Sequence, residues 1–179
     1  LILKLIDVTK FKLEVCMDRN FMGKFGKEHP DNPDNVRSRA RHVLLLNGCP
    51  IIWSSKLLQS TCLSTMMAEY YALSEAMREA LPLRTLAKTV GAGLGMEPGS
   101  LTQFKTVAWE DNSGALSLAN LEPGQHTPRS RYYCVRVHWF KPHLTKLGPE
   151  PVTVEKIATE HQLEDMFTKP LPQESFVCF

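Results

Sequence analysis

The stretch His42-Val43-Leu44-Leu45-Leu46-Asn47-Gly48-Cys49-Pro50-Ile51-Ile52-Trp53-Ser54 sets two apolar runs on either side of an Asn-Gly pair. Asn-Gly is a strong hairpin signal because both residues tolerate the positive φ of a two-residue turn. His42 to Leu46 and Pro50 to Ser54 are therefore predicted as two antiparallel strands. Upstream, Phe11-Lys12-Leu13-Glu14-Val15 alternates, with Phe11, Leu13 and Val15 on one face, and the run leads to Asp18. Between them, Gly23 to Arg41 holds Gly-Lys-Phe-Gly and Pro-Asp-Asn-Pro-Asp, turn chemistry that predicts an exposed loop. Three strands in succession make a meander.

Downstream the period changes from two to 3.6. Met66, Tyr70, Leu73, Met77 and Ala80 fall on one face of a helix that begins near Ser64-Thr65, where either residue can cap it. Pro82 is expected to end or kink it. A break follows over Gly91-Ala92-Gly93 and Met96 to Ser100. Phe104 to Trp109 is again a strand, ending in Glu110-Asp111-Asn112, and Ser113 to Asn120 a short helix. Ser130 to Phe140 is helix-like, Val152 to Ile157 is a strand, and His161 to Thr168 is a short helix closed by Lys169-Pro170. The order β-β-β-α-β-α-α-β-α predicts an α/β fold, a mixed sheet flanked by helices.

Composition sets the outer bounds. The chain has 179 residues, 43% of them hydrophobic and 22% charged, enough for one domain with a single core and unlike a disordered or fibrous chain. We expect that domain at residues 11–172, with 1–10 a linker remnant and 173–179 a tail. The first residue is Leu1, so a cut from a longer translated product is expected. Apolar runs are short, so no membrane span is expected, and no secretory leader is visible. The five cysteines are widely spaced with no Cys-x-x-Cys, which favours free thiols over a zinc site. No glycine-rich phosphate loop is present: Gly91-Ala-Gly-Leu-Gly follows a helix rather than a strand.

Four acids stand at strand ends and on helices: Asp18, Glu69, Asp111 and Asp165. Each alone reads as an exposed surface acid. Brought together, they would repel one another strongly unless divalent cations sat between them. Mg²⁺ suits carboxylates plus substrate phosphates, and a pair of such ions serves phosphodiester hydrolysis.

Spacing does not establish that convergence, but the local wording goes further. Gly48-Cys49-Pro50-Ile51-Ile52-Trp53-Ser54-Ser55-Lys56, Leu63-Ser64-Thr65 through Ala68-Glu69-Tyr70-Tyr71-Ala72-Leu73-Ser74, Glu110-Asp111-Asn112-Ser113-Gly114-Ala115-Leu116, Pro128-Arg129-Ser130-Arg131, His138-Trp139-Phe140 and Gln162-Leu163-Glu164-Asp165-Met166-Phe167-Thr168-Lys169-Pro170-Leu171 occur in that order. The chain thereby resembles the ribonuclease H domain of copia-type LTR retrotransposon polyproteins, from about Lys12 to Phe176, as a diverged or domesticated copy. The resemblance implies an RNase H-like fold: a five-stranded mixed sheet, three strands in an antiparallel meander plus two parallel ones, with helices on both sides. It implies Mg²⁺-dependent cleavage, with two ions and Mn²⁺ as a substitute, of the RNA strand of an RNA–DNA hybrid. It assigns metal ligation to Asp18, Glu69 and Asp111, with Asp165 completing the second metal site. It also implies a reverse transcriptase domain in cis and an intracellular setting, a cytoplasmic virus-like particle or the nucleus.

Three places depart from the pattern. Asp18-Arg19-Asn20 stands for the usual Asp-Ala-Asp, Ser38-Arg39-Ala40-Arg41-His42 for Ser-Arg-Thr-Gly-Tyr, and Arg129-Ser130-Arg131-Tyr132-Tyr133 for Arg-Ser-Lys-His-Ile. Arg19 sets a cation beside Asp18 in sequence, although strand alternation points the two to opposite faces. These departures motivate a second reading, a catalytically silent RNase H-like module that binds nucleic acid or a protein partner.

Net charge is only +2, yet Pro123 to Pro149 holds no acid and contains Arg129, Arg131, Arg136, Lys141 and Lys146, interleaved with Tyr132, Tyr133, Trp139 and Phe140. The cations read as phosphate contacts and the aromatics as core or stacking groups. Arg129 and Arg131 are the expected nucleic-acid-binding residues here, with Asn20, Ser55, Lys56 and Asn112 as further candidates. His161 lies four residues before Asp165, on the same face of the predicted helix, and reads as a surface histidine that can also shuttle protons.

Overall fold

A computed structural model of the chain describes residues 11–21, 31–96, 104–122, 124–144 and 152–158. Strand β1 runs Lys12–Asn20, β2 Arg39–Leu46 and β3 Cys49–Leu57. Helix α1 spans Thr65–Gly93, β4 Lys105–Glu110, α2 Ser113–Ala119, α3 Arg131–Val137 and β5 Val152–Lys156. The five strands form one sheet in the order β3-β2-β1-β4-β5. β1, β2 and β3 pair antiparallel, while β4 lies parallel to both β1 and β5. This is the predicted meander extended by two parallel strands.

The hairpin turn is the one that Asn-Gly predicts. Leu46 pairs with Cys49, leaving two residues in the loop, with φ of 51° at Asn47 and 79° at Gly48. Positive φ at both positions matches the right-handed twist of the flanking strands. The Asn47 side chain also accepts the backbone N–H of Lys12 at 2.8 Å, which ties the turn to the start of β1. Pro50 is accommodated because β3 is an edge strand, where a missing N–H costs no ladder bond to a further strand. β2 begins at Arg39 rather than His42. The polar Arg39 and Arg41 extend the strand because β1 and β3 supply partners on both sides.

One face of the sheet carries the main core. Leu13, Val15 and Met17 of β1 and Ala40 and Leu44 of β2 pack with Tyr70, Leu73, Met77 and Ala80 of α1, the stripe seen in the sequence. Leu118 of α2, Tyr133 and Val137 of α3, and Val152 and Val154 of β5 join the same cluster. On the other face a small cluster gathers Cys16, Val43 and Leu45 with Trp109 packed against it. The three described helices therefore share one side of the sheet; the predicted helix His161 to Thr168 lies outside the described residues.

Of the two outcomes expected at Pro82, an end or a kink, the structure excludes the end. The helix runs on to Gly93, as buried Ala76, Met77 and Ala80 before the proline and Arg84 after it anchor both halves. That burial offsets the cost of one lost backbone bond, about 3 kcal/mol. Ser64 is the N-cap, accepting the Met67 N–H at 3.1 Å. Ser130 to Phe140 is helical as predicted, but α3 tightens into a 3₁₀ segment at His138–His143, with Pro142 inside it. No described helix is long and apolar enough to cross a membrane. Cys16, Cys49, Cys62 and Cys134 are thiols rather than halves of a disulfide.

Asn112 caps α2 twice over, its side-chain oxygen accepting the N–H groups of Gly114 and Ala115 at 3.0 Å each. Asn112→Ala is expected to cost about 1 kcal/mol, read by urea unfolding. A change below the error of that measurement would show that Ser113 takes over the cap.

Candidate functional site

The parallel strand β4 sends Thr106, Ala108 and Glu110 toward the helix-covered face, by alternation from buried Ala108. The strand stops at Glu110 and α2 starts at Ser113, so Asp111 sits in the short junction between them. Glu110 braces that junction: its Oε1 accepts the Asn112 N–H at 3.0 Å, and Asn112 in turn caps α2. At Gly114 an added Cβ would meet the Met66 sulfur at 3.0 Å, so glycine lets the first turn of α2 close against the first turn of α1. Glu69 is in the next turn of α1. These contacts bring one carboxylate oxygen each from Glu69, Glu110 and Asp111 within 4.8 Å of one another.

The site is dry. Glu69 is 5% and Glu110 1% exposed. Burial pushes the Glu69 carboxyl up to about 8, against the pull of the Arg19 guanidinium. Burial, then the Glu69 charge, pushes Glu110 up to about 9. Among the described residues, Oε2 of each of these glutamates is buried without a hydrogen-bond partner. Buried carboxylate oxygens left unpartnered are costly unless a proton or a cation meets them. The donor set therefore fits a hard divalent cation, which favours carboxylate oxygens.

Of the four acids read from the sequence, the structure brings two together, Glu69 and Asp111. Asp18 is not among the clustered three. Counting by twos from Leu13, Val15 and Met17 puts Arg19, not Asp18, on the face that carries α1. Arg19 and Asp18 do point to opposite faces, and it is the arginine that reaches the site: its Nε donates to Glu69 Oε1 at 2.8 Å, with both side chains buried. Asp18 stands opposite Arg41 of β2, whose Nη1 lies 3.5 Å from its Oδ2. Its charge still adds to the pressure on the Glu69 carboxyl. Asp165 and His161 lie outside the described residues. Glu110 went unread as a ligand because Asp111 beside it carried the motif, although alternation along β4 was the available signal.

The candidate nucleic-acid contacts are scattered. The Asn20 side chain lies outside the described residues, as does that of Arg136. The Asn112 side chain is taken up by its cap. Ser55 sits on exposed β3, its backbone carbonyl 3.2 Å from Arg39 Nη1, and Lys56 is 3.4 Å from Glu79. His42 Nε2 lies 3.0 Å from the same carboxyl. Burial of Glu79 tends to raise that carboxyl, but His42 and Lys56 together hold it below its ordinary value. Arg129 and Arg131 are exposed in the acid-free stretch. Lys141 does not face a substrate: it is buried and donates to the carbonyls of Ala119 and Leu121, closing the end of α2. Burial lowers its ammonium to about 8. The aromatics divide. Tyr133 and Phe140 are core, Tyr132 is exposed, and Trp139 is partly exposed while donating to Ser74 Oγ at 2.9 Å.

No family model matches the chain. It is 29% identical over 143 residues to the Retrovirus-related Pol polyprotein from transposon TNT 1-94 of Nicotiana tabacum, a match covering 80% of this chain and 10% of that protein. It is 27% identical over 146 residues to the Retrovirus-related Pol polyprotein from transposon RE1 of Arabidopsis thaliana, covering 82% and 9%. The chain thus spans about a tenth of the length of these relatives. Among solved structures, LC11-RNase H1, isolated from compost, superposes with a TM-score of 0.52 at 14% identity, covering 86% of this chain and 88% of that one. The same protein in complex with an RNA/DNA hybrid superposes at 0.50 with 12% identity, covering 87% and 90%. With its strand order, the carboxylates at the β4–α2 junction and these likenesses, the chain has an RNase H-like fold and is similar in sequence to the Pol polyproteins of plant copia-type retrotransposons.

Proposed function

We propose that this chain is a Mg²⁺-dependent endoribonuclease that cleaves the RNA strand of RNA–DNA hybrids with two divalent cations, the nuclease part of a retroelement polyprotein. The observation that carries the reading is the cluster of Glu69, Glu110 and Asp111, two of whose buried oxygens have no partner among the described residues. Glu69 and Asp111 are the ligands on which resemblance and geometry agree. Glu110 joins them by geometry, while Asp18 and Asp165 stand as ligands on the resemblance alone. When bound, a divalent cation would lower the pKa of an attacking water and stabilise charge on the leaving ribose oxygen. The protein's own share is to hold the carboxylates at fixed spacing through the Asn112 cap and the α1–α2 contact, and to exclude water from their inner oxygens. Arg129 and Arg131, exposed and without acids nearby in sequence, hold substrate phosphates in this reading. A reverse transcriptase domain in cis would supply further substrate affinity, in a cytoplasmic virus-like particle or the nucleus.

A second reading has its own observation. Arg19 pairs with Glu69 and Asp18 pairs with Arg41, an arrangement suited to a catalytically silent module that binds nucleic acid. One assay separates them: a labelled RNA–DNA hybrid with Mg²⁺, the wild-type chain beside Asp111→Asn. Cleavage that falls roughly a hundredfold or more in the variant supports the nuclease. Equal residual cleavage in both supports the silent module.

A further inference from the structure

The carboxylate cluster already contains a cation, and it belongs to the protein. Arg19 leaves β1 on the helix-covered face and its Nε meets Glu69 Oε1 at 2.8 Å, with side chains only 6% and 7% exposed. The guanidinium carbon lies 5.1 Å from the centre of the Phe21 ring, which covers the group on one side. Among the described residues its Nη1 is buried with no partner, as are Glu69 Oε2 and Glu110 Oε2. The pair is therefore incompletely matched: a single hydrogen bond joins a five-donor fork to a carboxylate, and charge is left over on both partners. A divalent cation placed among Glu69, Glu110 and Asp111 would sit beside a fixed positive charge in a medium that screens little. It would have to share Glu69 with the guanidinium or displace it.

We propose that Arg19 is a built-in counter-ion that competes with a divalent cation for Glu69, so that cation binding at this site is weak until the Arg19–Glu69 contact opens. Arg19 is a positioning residue in this role, since it acts through Glu69. The competition rests on the metal-site reading above and adds to it the element that sets the affinity.

Calorimetric titration of the full chain with Mn²⁺ alone tests it, comparing wild type with Arg19→Gln and Arg19→Met. Glutamine keeps a donor toward Glu69 and removes the charge. Methionine keeps most of the length and removes both. Circular dichroism confirms that each variant is folded, and if Arg19→Met fails to fold, Arg19→Gln decides. The expected result is Mn²⁺ binding at least tenfold tighter in the charge-free variants than in wild type, with Arg19→Lys staying near wild type. Equal or weaker binding in the charge-free variants, with wild type binding Mn²⁺, overturns the competition and leaves the metal site standing. No binding in any variant overturns the metal-site reading along with it.

Discussion

Raising the pH from 6.5 to 8 is expected to destabilise the metal-free protein by on the order of 3 kcal/mol, and Mg²⁺ to restore part of the loss, more of it as its concentration rises. Both parts follow from Glu69 and Glu110. Burial lifts their carboxyls from the ordinary 4.5 to about 8 and about 9. Above the ordinary value the unfolded chain has released these protons while the folded chain keeps them. The folded state therefore binds more protons throughout that window, and stability falls as pH rises. The loss is complete only once the pH has passed the folded values, near 8 and 9. Two other shifted groups work in the opposite direction but outside the window. Burial and then Lys141 lower the His138 imidazole to about 4, so it gains stability as pH rises only up to its ordinary 6.5. Lys141, lowered to about 8 from 10.5, does so only from about 8 upward. Between these two limits the two glutamates dominate.

The measurement is thermal unfolding in matched buffers, where the loss should appear as a fall in Tm of roughly 10 °C. Glu110→Gln should remove about half of the fall and raise Tm at the alkaline end, because glutamine can still accept the Asn112 N–H and brings no charge into the site, while Glu69, raised mainly by its own burial, keeps its share. Mg²⁺ should then have only the Glu69 share left to restore. A flat profile in the wild-type chain would mean that Arg19 already neutralises the cluster, and the case for a cation there would lose its physical basis.

Tyr70→Ala is expected to cost about 3–5 kcal/mol, close to the whole stability of an ordinary domain. Tyr70 is 0% exposed at the centre of the stripe on α1. Its ring meets Tyr133 at 6.5 Å, Phe140 at 5.5 Å and His138 at 5.4 Å between centroids, so one side chain joins α1 to α3 and the 3₁₀ segment after it. Its hydroxyl also lies 2.7 Å from His138 Nδ1. Removing the ring leaves a cavity that three aromatic walls cannot easily close. Tyr70→Phe isolates the polar part. Among the described residues His138 Nε2 has no partner, so losing the hydroxyl strands the second ring nitrogen as well. That is expected to cost about 1–3 kcal/mol. Urea unfolding of both variants checks the two figures. Equal losses would place the whole effect in the hydrogen bond, and a negligible loss in Tyr70→Ala would mean that α3 is not docked through this residue.

Much of the fold was legible because it rests on local rules. Asn47-Gly48 dictates a two-residue turn whatever surrounds it, and the Met66 to Ala80 stripe marks a helix face by period alone. Pro82 was expected to end or kink the helix, and it does not end it: the rule for proline weighs one backbone bond, whereas burial on both sides of the residue keeps α1 continuous to Gly93. Lys141 counted as a surface cation by type, yet two carbonyls at the end of α2 hold it inside.

The site was legible only in part. Glu69 and Asp111 could be named because their motifs are local, and the acid-free stretch around Arg129 and Arg131 because composition is. By itself the sequence determined the meander, the helix that begins near Ser64-Thr65, the strand ending at Glu110 and the ordered wording that points to an RNase H-like domain. Only the tertiary structure decided which side chains share the site. In a strand, one step in register exchanges the faces, so whether Asp18 or Arg19 meets Glu69 depends on which residues of β1 pack beneath α1. Leu13, Val15 and Met17 do, and hydrophobic burial along that face carries Arg19 to the carboxylates and Asp18 to Arg41.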